Sequence, residues 1–378
     1  MAVQTYDGAV DRGLEGVIAC TTEISYIIDA NLTYRGYTIE DLAENSNFEE
    51  VLYLLWNNTL PTPAQLTELK KSISDNIGFT DEQLKNLKAL PSKDIHPMAW
   101  LRTAVSMLAL WDADSQDSSP EAVNRVSLRL VAKMGGLVAL LERIRQGKDY
   151  IAPKAGQSVA WNFLYMLKGE EPDADAVKVM DTCLILHADH ELNCSAFASR
   201  VTASSLSDVY SAVVSAISAL KGPLHGGANE QVMRTLKEIG TVENAKAWIE
   251  KALANKEKIM GIGHRVYKNG DPRAKILRGM SELLTKKTGQ PQWYEMSKVI
   301  EDTVRESKGL LPNVDFYSAT VYYSMGIPLD LYTPIFATSR VAGWLAHIRE
   351  QYSKNRIYRP RGEWTGKSGL KWDAANNR

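Results

Sequence analysis

Apolar positions recur at helical spacing along nearly the whole chain, and one short N-terminal stretch departs from that rhythm. Residues 13–40 carry the strand character. Gly16 to Cys20 and Ile24 to Ile28 are β-prone runs, Asp29-Ala30-Asn31 is a turn signal, and Leu32 to Tyr37 adds one more short strand. From Thr38 onward the helical period takes over. Thr38 with Asp41, and Asn47 leading into Val51, Leu52, Leu54 and Leu55, are helix starts. Pro61 and Pro63 precede a helix from Ala64 to about Ile77, and Thr80 caps the next. His96-Pro97 opens an apolar helix through Leu101, Val105, Leu108 and Trp111.

Asp112 to Pro120 reads as a polar loop, with helices from there to about Gly147. Pro153 to Gln157 is a further loop before an aromatic helix around Trp161 and Phe163. Ala174 to His190 and Ser207 to Lys221 are strongly apolar and central. Two helices follow Glu230, separated by Gly240, and Gly261 to Pro272 is irregular. Helices are then expected over 274–286, 291–307, 315–325 and 333–351, ahead of an extended tail. Strands do not alternate with helices, which disfavours a doubly wound sheet. The expected class is all-α with a small N-terminal β element.

Composition narrows the setting. The 378 residues are enough for two domains, and 44% hydrophobic with 24% charged residues is ordinary for a globular chain. A net charge of −1 supplies no field toward nucleic acid or anionic lipid. Three irregularly spaced cysteines (Cys20, Cys183, Cys194) argue against a disulfide framework and a cysteine zinc site. With no secretory signal and no spanning apolar run, a cytoplasmic location is expected.

Four stretches carry candidate chemistry. Gly222-Pro223-Leu224-His225-Gly226-Gly227-Ala228-Asn229-Glu230 breaks two helices and sets His225 near the start of the second. There the helix N-terminus favours a neutral imidazole suited to an oxyanion; an ordinary helix–helix loop fits the residues equally well. Gly261-Ile262-Gly263-His264-Arg265-Val266-Tyr267-Lys268 runs on to Asp271-Pro272-Arg273. It lacks the strand and third glycine of a dinucleotide loop, and reads either as an anion-binding loop or as a solvated basic turn.

In the third stretch, Pro312-Asn313-Val314-Asp315-Phe316-Tyr317-Ser318, one acid sits among apolar neighbours. Asp315 is either a desolvated base or a helix cap. The fourth, His187-Ala188-Asp189-His190-Glu191, matches no metal motif, and no metal site is expected; His190 is the better donor and His187 the core residue. Arg340, within an apolar helix, needs an anion. Arg359 sits in the tail arm.

Together, Gly222–Glu230, Gly261–Arg273 and Pro312–Ser318 resemble the three active-site signatures of citrate synthase, in matching order and spacing. The likeness extends from about Gly13 to Pro360, and the length is similar to that of the short dimeric bacterial and archaeal enzymes. The resemblance implies a helical fold of two domains. A large one comprises residues 1–225 and 326–378, and a small inserted one residues 226–325. It implies condensation of acetyl-CoA with oxaloacetate and hydrolysis of citryl-CoA, without a cofactor.

By the same likeness, Asp315 matches the base, His225 the donor to the enol or enolate oxygen, and His264 the acid on the oxaloacetate carbonyl. His190, Arg273, Arg340 and Arg359 match the oxaloacetate ligands, Arg359 reaching in from a partner subunit of a homodimer or higher homo-oligomer. Arg265 and Lys268 are positional candidates for CoA phosphates. The rival readings are 2-methylcitrate synthase acting on propionyl-CoA, since one methylene is worth only about 1–3 kcal/mol of discrimination, and a catalytically silent helical assembly protein.

Overall fold

The computed structural model describes residues 12–28, 31–264, 266–267, 269–373 and 375. Strand character condenses into one three-stranded antiparallel sheet. β1 (Ser25–Ile28) pairs with β2 (Asn31–Tyr34), Ser25 opposite Tyr34, and β2 pairs with β3 (Tyr37–Thr38). Asp29 and Ala30, the first residues of the expected turn, lie outside the described residues. Leu32 to Tyr37 is not one strand, because Arg35 and Gly36 take φ of 50° and 89° and reverse the chain in a two-residue hairpin. Gly16 to Cys20 is not a strand either. Val17 and Ile18 are 48% and 92% exposed, so their β-propensity finds no buried face to hold it.

Caps set the first helices. Thr38 caps α1 (Ile39–Asn45), and reciprocal capping boxes open α2 (Phe48–Asn57), α3 (Pro63–Asn76) and α4 (Asp81–Lys88). His96 accepts from the Met98 N–H to start α5 (Pro97–Leu108). After the polar loop come a single helix α6 (Pro120–Arg145), then α7 (Val159–Lys168), α8 (Ala174–His187), α9 (Cys194–Ser204) and α10 (Val209–Leu220). There follow α11 (Ala228–Ile239), α12 (Val242–Ala254), α13 (Pro272–Lys287), α14 (Gln292–Lys308), α15 (Val314–Ser324) and α16 (Tyr332–Ser353).

α8 stops short of His190, for a tertiary reason. The Asp189 N–H donates to the Tyr34 hydroxyl (3.1 Å), and the Ala188 carbonyl accepts from the Gly343 N–H (3.1 Å). Glu191 then turns away at φ 50°. Gly343 has to be glycine for α16 to come this close, since a Cβ there would lie 2.4 Å from the Ala188 oxygen. α9 is not anticipated by the hydrophobic pattern. Ser195, Ala196 and Ser199 are too small to print an apolar period, and their burial comes from close packing on α10 and α16.

α16 is buried on nearly all sides and packs against α2, α5, α6, α8, α9, α10 and α11. A helix of that kind is the trunk of a large core. α11 to α15 pack chiefly on one another, and meet the remainder through α1, α8 and α16. The protein is all-α with a small sheet. Among the described residues no helix is long and apolar enough to cross a membrane.

Candidate active site

His225 lies on the break between α10 and α11, and α9 fixes its proton. The backbone N–H of Ser195, which can only donate, points at Nε2 of His225 (3.2 Å), and the Ser195 hydroxyl lies 2.8 Å from the same atom. Nε2 is therefore the acceptor, and the ring proton sits on Nδ1. The one hydroxyl proton of Ser195 is shared between Nε2 and the Asn193 Oδ1 (2.7 Å), and Trp344 Nε1 donates to the hydroxyl oxygen (3.0 Å). Burial, with Arg340 nearby, lowers the His225 pKa to about 4. His225 is a neutral donor through Nδ1–H. Gly226 permits the tight break, since a Cβ there would fall 2.2 Å from the Leu220 carbonyl oxygen.

The loop before α13 and the start of α15 are zipped together. Gly263 N–H donates to the Leu311 carbonyl (2.8 Å), Asn313 N–H to that of Gly261 (2.9 Å), and Asn313 Nδ2 to that of Gly263 (2.8 Å). Next along the loop, Nδ1 of His264 accepts from the Val266 N–H (3.1 Å), which leaves the proton on Nε2. Burial and then Arg273 lower the His264 pKa, so this ring too is a neutral donor. On the other side of the zip, Asn313 caps α15 by accepting from the Asp315 N–H (3.0 Å). Asp315 is thus inside the first turn of the helix and not its cap. The residue is half-buried and densely surrounded, and burial raises its carboxyl pKa to about 6 against the pull of Arg273 and Arg340.

The cations differ in how they are held. Arg273 is bidentate to Asp271 (2.9 and 2.8 Å), and Asp271 also accepts from the Val314 N–H (3.0 Å), tying that arginine to the start of α15. Arg340, 2% exposed, gives Nε to the His187 carbonyl (2.7 Å) and lies 4.6 Å over the Phe336 ring. It makes no ion pair among the described residues, and burial lowers its pKa to about 10 even with Asp189 nearby. Such a guanidinium is a seat for an incoming anion.

His190, in the turn after α8, has its ring centroid 5.3 Å from that of His264 and its Nε2 3.0 Å from the Tyr267 hydroxyl. Burial, Arg273 and Arg340 hold its pKa well below the ordinary value. The small sheet fixes this turn. Ser25 Oγ donates to the Asp189 carboxylate and accepts from the Glu191 N–H (2.7 Å), while the Tyr34 hydroxyl donates to the Asp189 carbonyl (2.9 Å).

The structure thus brings His190, His225, His264, Arg273, Arg340 and Asp315 into one electrostatic neighbourhood. Arg359 is not among them within its own chain. It is exposed and lines a separate cavity of about 1260 Å³ beneath the C-terminal arm, with Arg200 and Arg349. Arg265 and Lys268 lie outside the described residues. His187 is a core residue, its Nδ1 on the Cys183 carbonyl (2.7 Å) and its pKa pushed down by burial to about 3. Ser195, Asp271 and Tyr267 are site residues that the sequence did not single out. Asn193-Cys194-Ser195 is a cap pattern, and Asp271-Pro272 a helix start, so two of the three left a local signal.

The citrate synthase family profile, described as the C-terminal domain of citrate synthase, matches residues 13–361. The chain belongs to the citrate synthase family. It is therefore a transferase. Citrate synthase 2 of Bacillus subtilis is 55% identical over 94% of this chain and 95% of its own. 2-Methylcitrate synthase 2 of Corynebacterium glutamicum is 43% identical over 94% and 95%. The citrate synthase of Thermoplasma acidophilum, solved as a ternary complex with carboxymethyl coenzyme A and oxaloacetate, superposes with a TM-score of 0.90. It is 33% identical, over 98% of this chain and all of that one.

Proposed function

We propose that this transferase condenses acetyl-CoA with oxaloacetate and hydrolyses the resulting citryl thioester to citrate and CoA. The observation that carries the reading is the convergence of one desolvated carboxylate and two neutral imidazoles, their donor edges set by backbone N–H contacts, beside a buried guanidinium with no ion pair among the described residues. Oxaloacetate is a dianion, and Arg340, Arg273 and His190 are its ligands in this reading. The Thermoplasma relative, with a CoA analogue and oxaloacetate bound, supports the same pair of substrates.

The thioester methyl group is a very weak carbon acid, so its deprotonation needs both a strong base and a donor aimed at the oxygen that gains charge. Asp315 takes the methyl proton, and desolvation makes its ionised form more basic than an ordinary carboxylate. His225 Nδ1–H meets the enolate oxygen. The nucleophilic carbon then attacks the ketone of oxaloacetate while His264 Nε2–H protonates the carbonyl oxygen. Water cleaves the citryl thioester, and CoA leaves as the thiol. No step draws on a cofactor.

Residues 226–325 form the lobe that closes over the bound dianion, with His225 at the hinge. The chain acts as a homodimer, in which Arg359 on the arm serves the oxaloacetate site of the second copy. Arg265 and Lys268 serve as the cations for the CoA phosphates in this reading. The Corynebacterium relative favours a second reading, in which propionyl-CoA is the acyl donor and 2-methylcitrate the product. A thiol-release assay with oxaloacetate and each acyl-CoA tests both. A higher kcat/KM for acetyl-CoA supports the first reading, a higher value for propionyl-CoA supports the second, and no CoA release refutes both and leaves a silent assembly protein.

A further inference from the structure

The link between the His264 loop and the turn carrying His190 is made by a residue with no role in the reaction above. The Tyr267 hydroxyl meets Nε2 of His190 at 3.0 Å. Its ring centroid lies 4.6 Å from that of His264 and 5.5 Å from that of His190, and the Arg273 guanidinium carbon is 6.0 Å from the same centroid. The side chain is 4% exposed, and burial raises the phenol well above its ordinary value, so it stays a neutral hydroxyl at every working pH. The backbone N–H groups of Val266 and Tyr267 both turn back to Nδ1 of His264 (3.1 and 3.4 Å). Where Tyr267 sits and where His264 points are therefore decided by the same short piece of backbone.

We infer that Tyr267 is a positioning residue, anchored on His190, that seats His264 for proton transfer. This rests on the functional reading above and adds a residue that the reading does not use. Ring contacts alone tolerate sliding, whereas a hydrogen bond to a ring nitrogen fixes distance and direction. The anchor joins positions 77 residues apart, one on the turn clamped by the small sheet and one on the loop zipped to α15. Loss of the hydroxyl would leave His264 attached to the α15 side and unfastened from the His190 side. Proton transfer is sensitive to small displacements of donor from acceptor.

Tyr267→Phe removes the hydroxyl and keeps the ring. Without any substrate, amide hydrogen exchange at Val266 and at position 267 is expected to quicken by about tenfold, the scale of one net hydrogen bond. In steady state, kcat should fall by about tenfold. KM for acetyl-CoA should hold, and the thermal midpoint should fall by no more than a few degrees. In a His190→Ala background the same substitution should change kcat no further, because the anchor point is already gone. Unchanged exchange with unchanged kcat, or a kcat effect that adds fully to His190→Ala, overturns the inference. A wild-type enzyme that releases no CoA refutes the functional reading instead, and the exchange rates still decide the anchor.

Discussion

The Ser195 backbone N–H donates to Nε2 of His225 across 3.2 Å, and so chooses which edge of that imidazole carries the proton. The serine hydroxyl, 2.8 Å from the same nitrogen, adds a polar neighbour but does not set the tautomer. Ser195→Ala keeps the N–H and therefore the proton on Nδ1. It removes the hydroxyl that Trp344 and Asn193 both use. The expected outcome is a fall in kcat of about tenfold, on the scale of one disturbed hydrogen-bond network, with KM for oxaloacetate nearly unchanged. Steady-state kinetics with each substrate varied in turn checks this.

Arg340 is a buried cation with no ion pair among the described residues, and Arg273 already spends its fork on Asp271. Arg340→Ala is expected to raise the Kd for oxaloacetate by at least about a hundredfold, in line with roughly 3 kcal/mol or more for a buried charge pair broken on one side. Arg340→Lys should recover only part of that loss, because an ammonium does not reproduce a planar fork. Isothermal titration with oxaloacetate alone reads both values.

The acid limb of activity should report Asp315. Its carboxyl is pushed up to about 6 by burial, and only the ionised form can accept a proton. Activity is then present above that value and lost as the pH falls through it. His225, pushed down to about 4, stays neutral across the same range and contributes no limb there. A pH profile of kcat/KM for acetyl-CoA with a single acid limb near 6 is expected, and a limb near the ordinary carboxylate range would contradict it.

Features of this chain are legible in its sequence where their cause is local. The breaks carrying His225, His264 and Asp315 announce themselves because glycine and proline interrupt strong helical periods. Arg340 stands out as a charge in an apolar helix. The end of α8 at the His190 turn does not, since what stops that helix is Tyr34 and Gly343, far away in sequence. α9 and its Ser195 are hidden by the small size of their residues. Gly16 to Cys20 misleads in the other direction, offering β-propensity where Val17 and Ile18 stay exposed.

A pair of buried acids lies away from the site and bears on stability. Asp181 accepts from the Phe48 N–H (3.2 Å) and Glu49 from the Val159 N–H (2.9 Å), so each buried carboxylate closes the start of another helix. Burial, then the Glu49 charge, pushes the Asp181 carboxyl up to about 7. The folded state therefore binds a proton that the unfolded state releases nearer pH 4, and stability falls as the pH rises between those two values. Asp181→Asn keeps an acceptor for Phe48 and removes the titration. The variant's gain in Tm over the parent should be larger at pH 8 than at pH 5, and an equal difference at both would contradict the assignment.

Replacement of a single oxygen at Asp315 tests the central chemistry most directly. Asp315→Asn preserves size and leaves the proposed anion ligands Arg273 and Arg340 in place, but it cannot accept a proton. Measured together, kcat by CoA release should fall by about 10²–10⁴-fold, while the Kd for oxaloacetate by titration stays within about threefold of the parent, under 1 kcal/mol. A variant that turns over at a near-normal rate with the same oxaloacetate affinity would mean that some other group removes the proton.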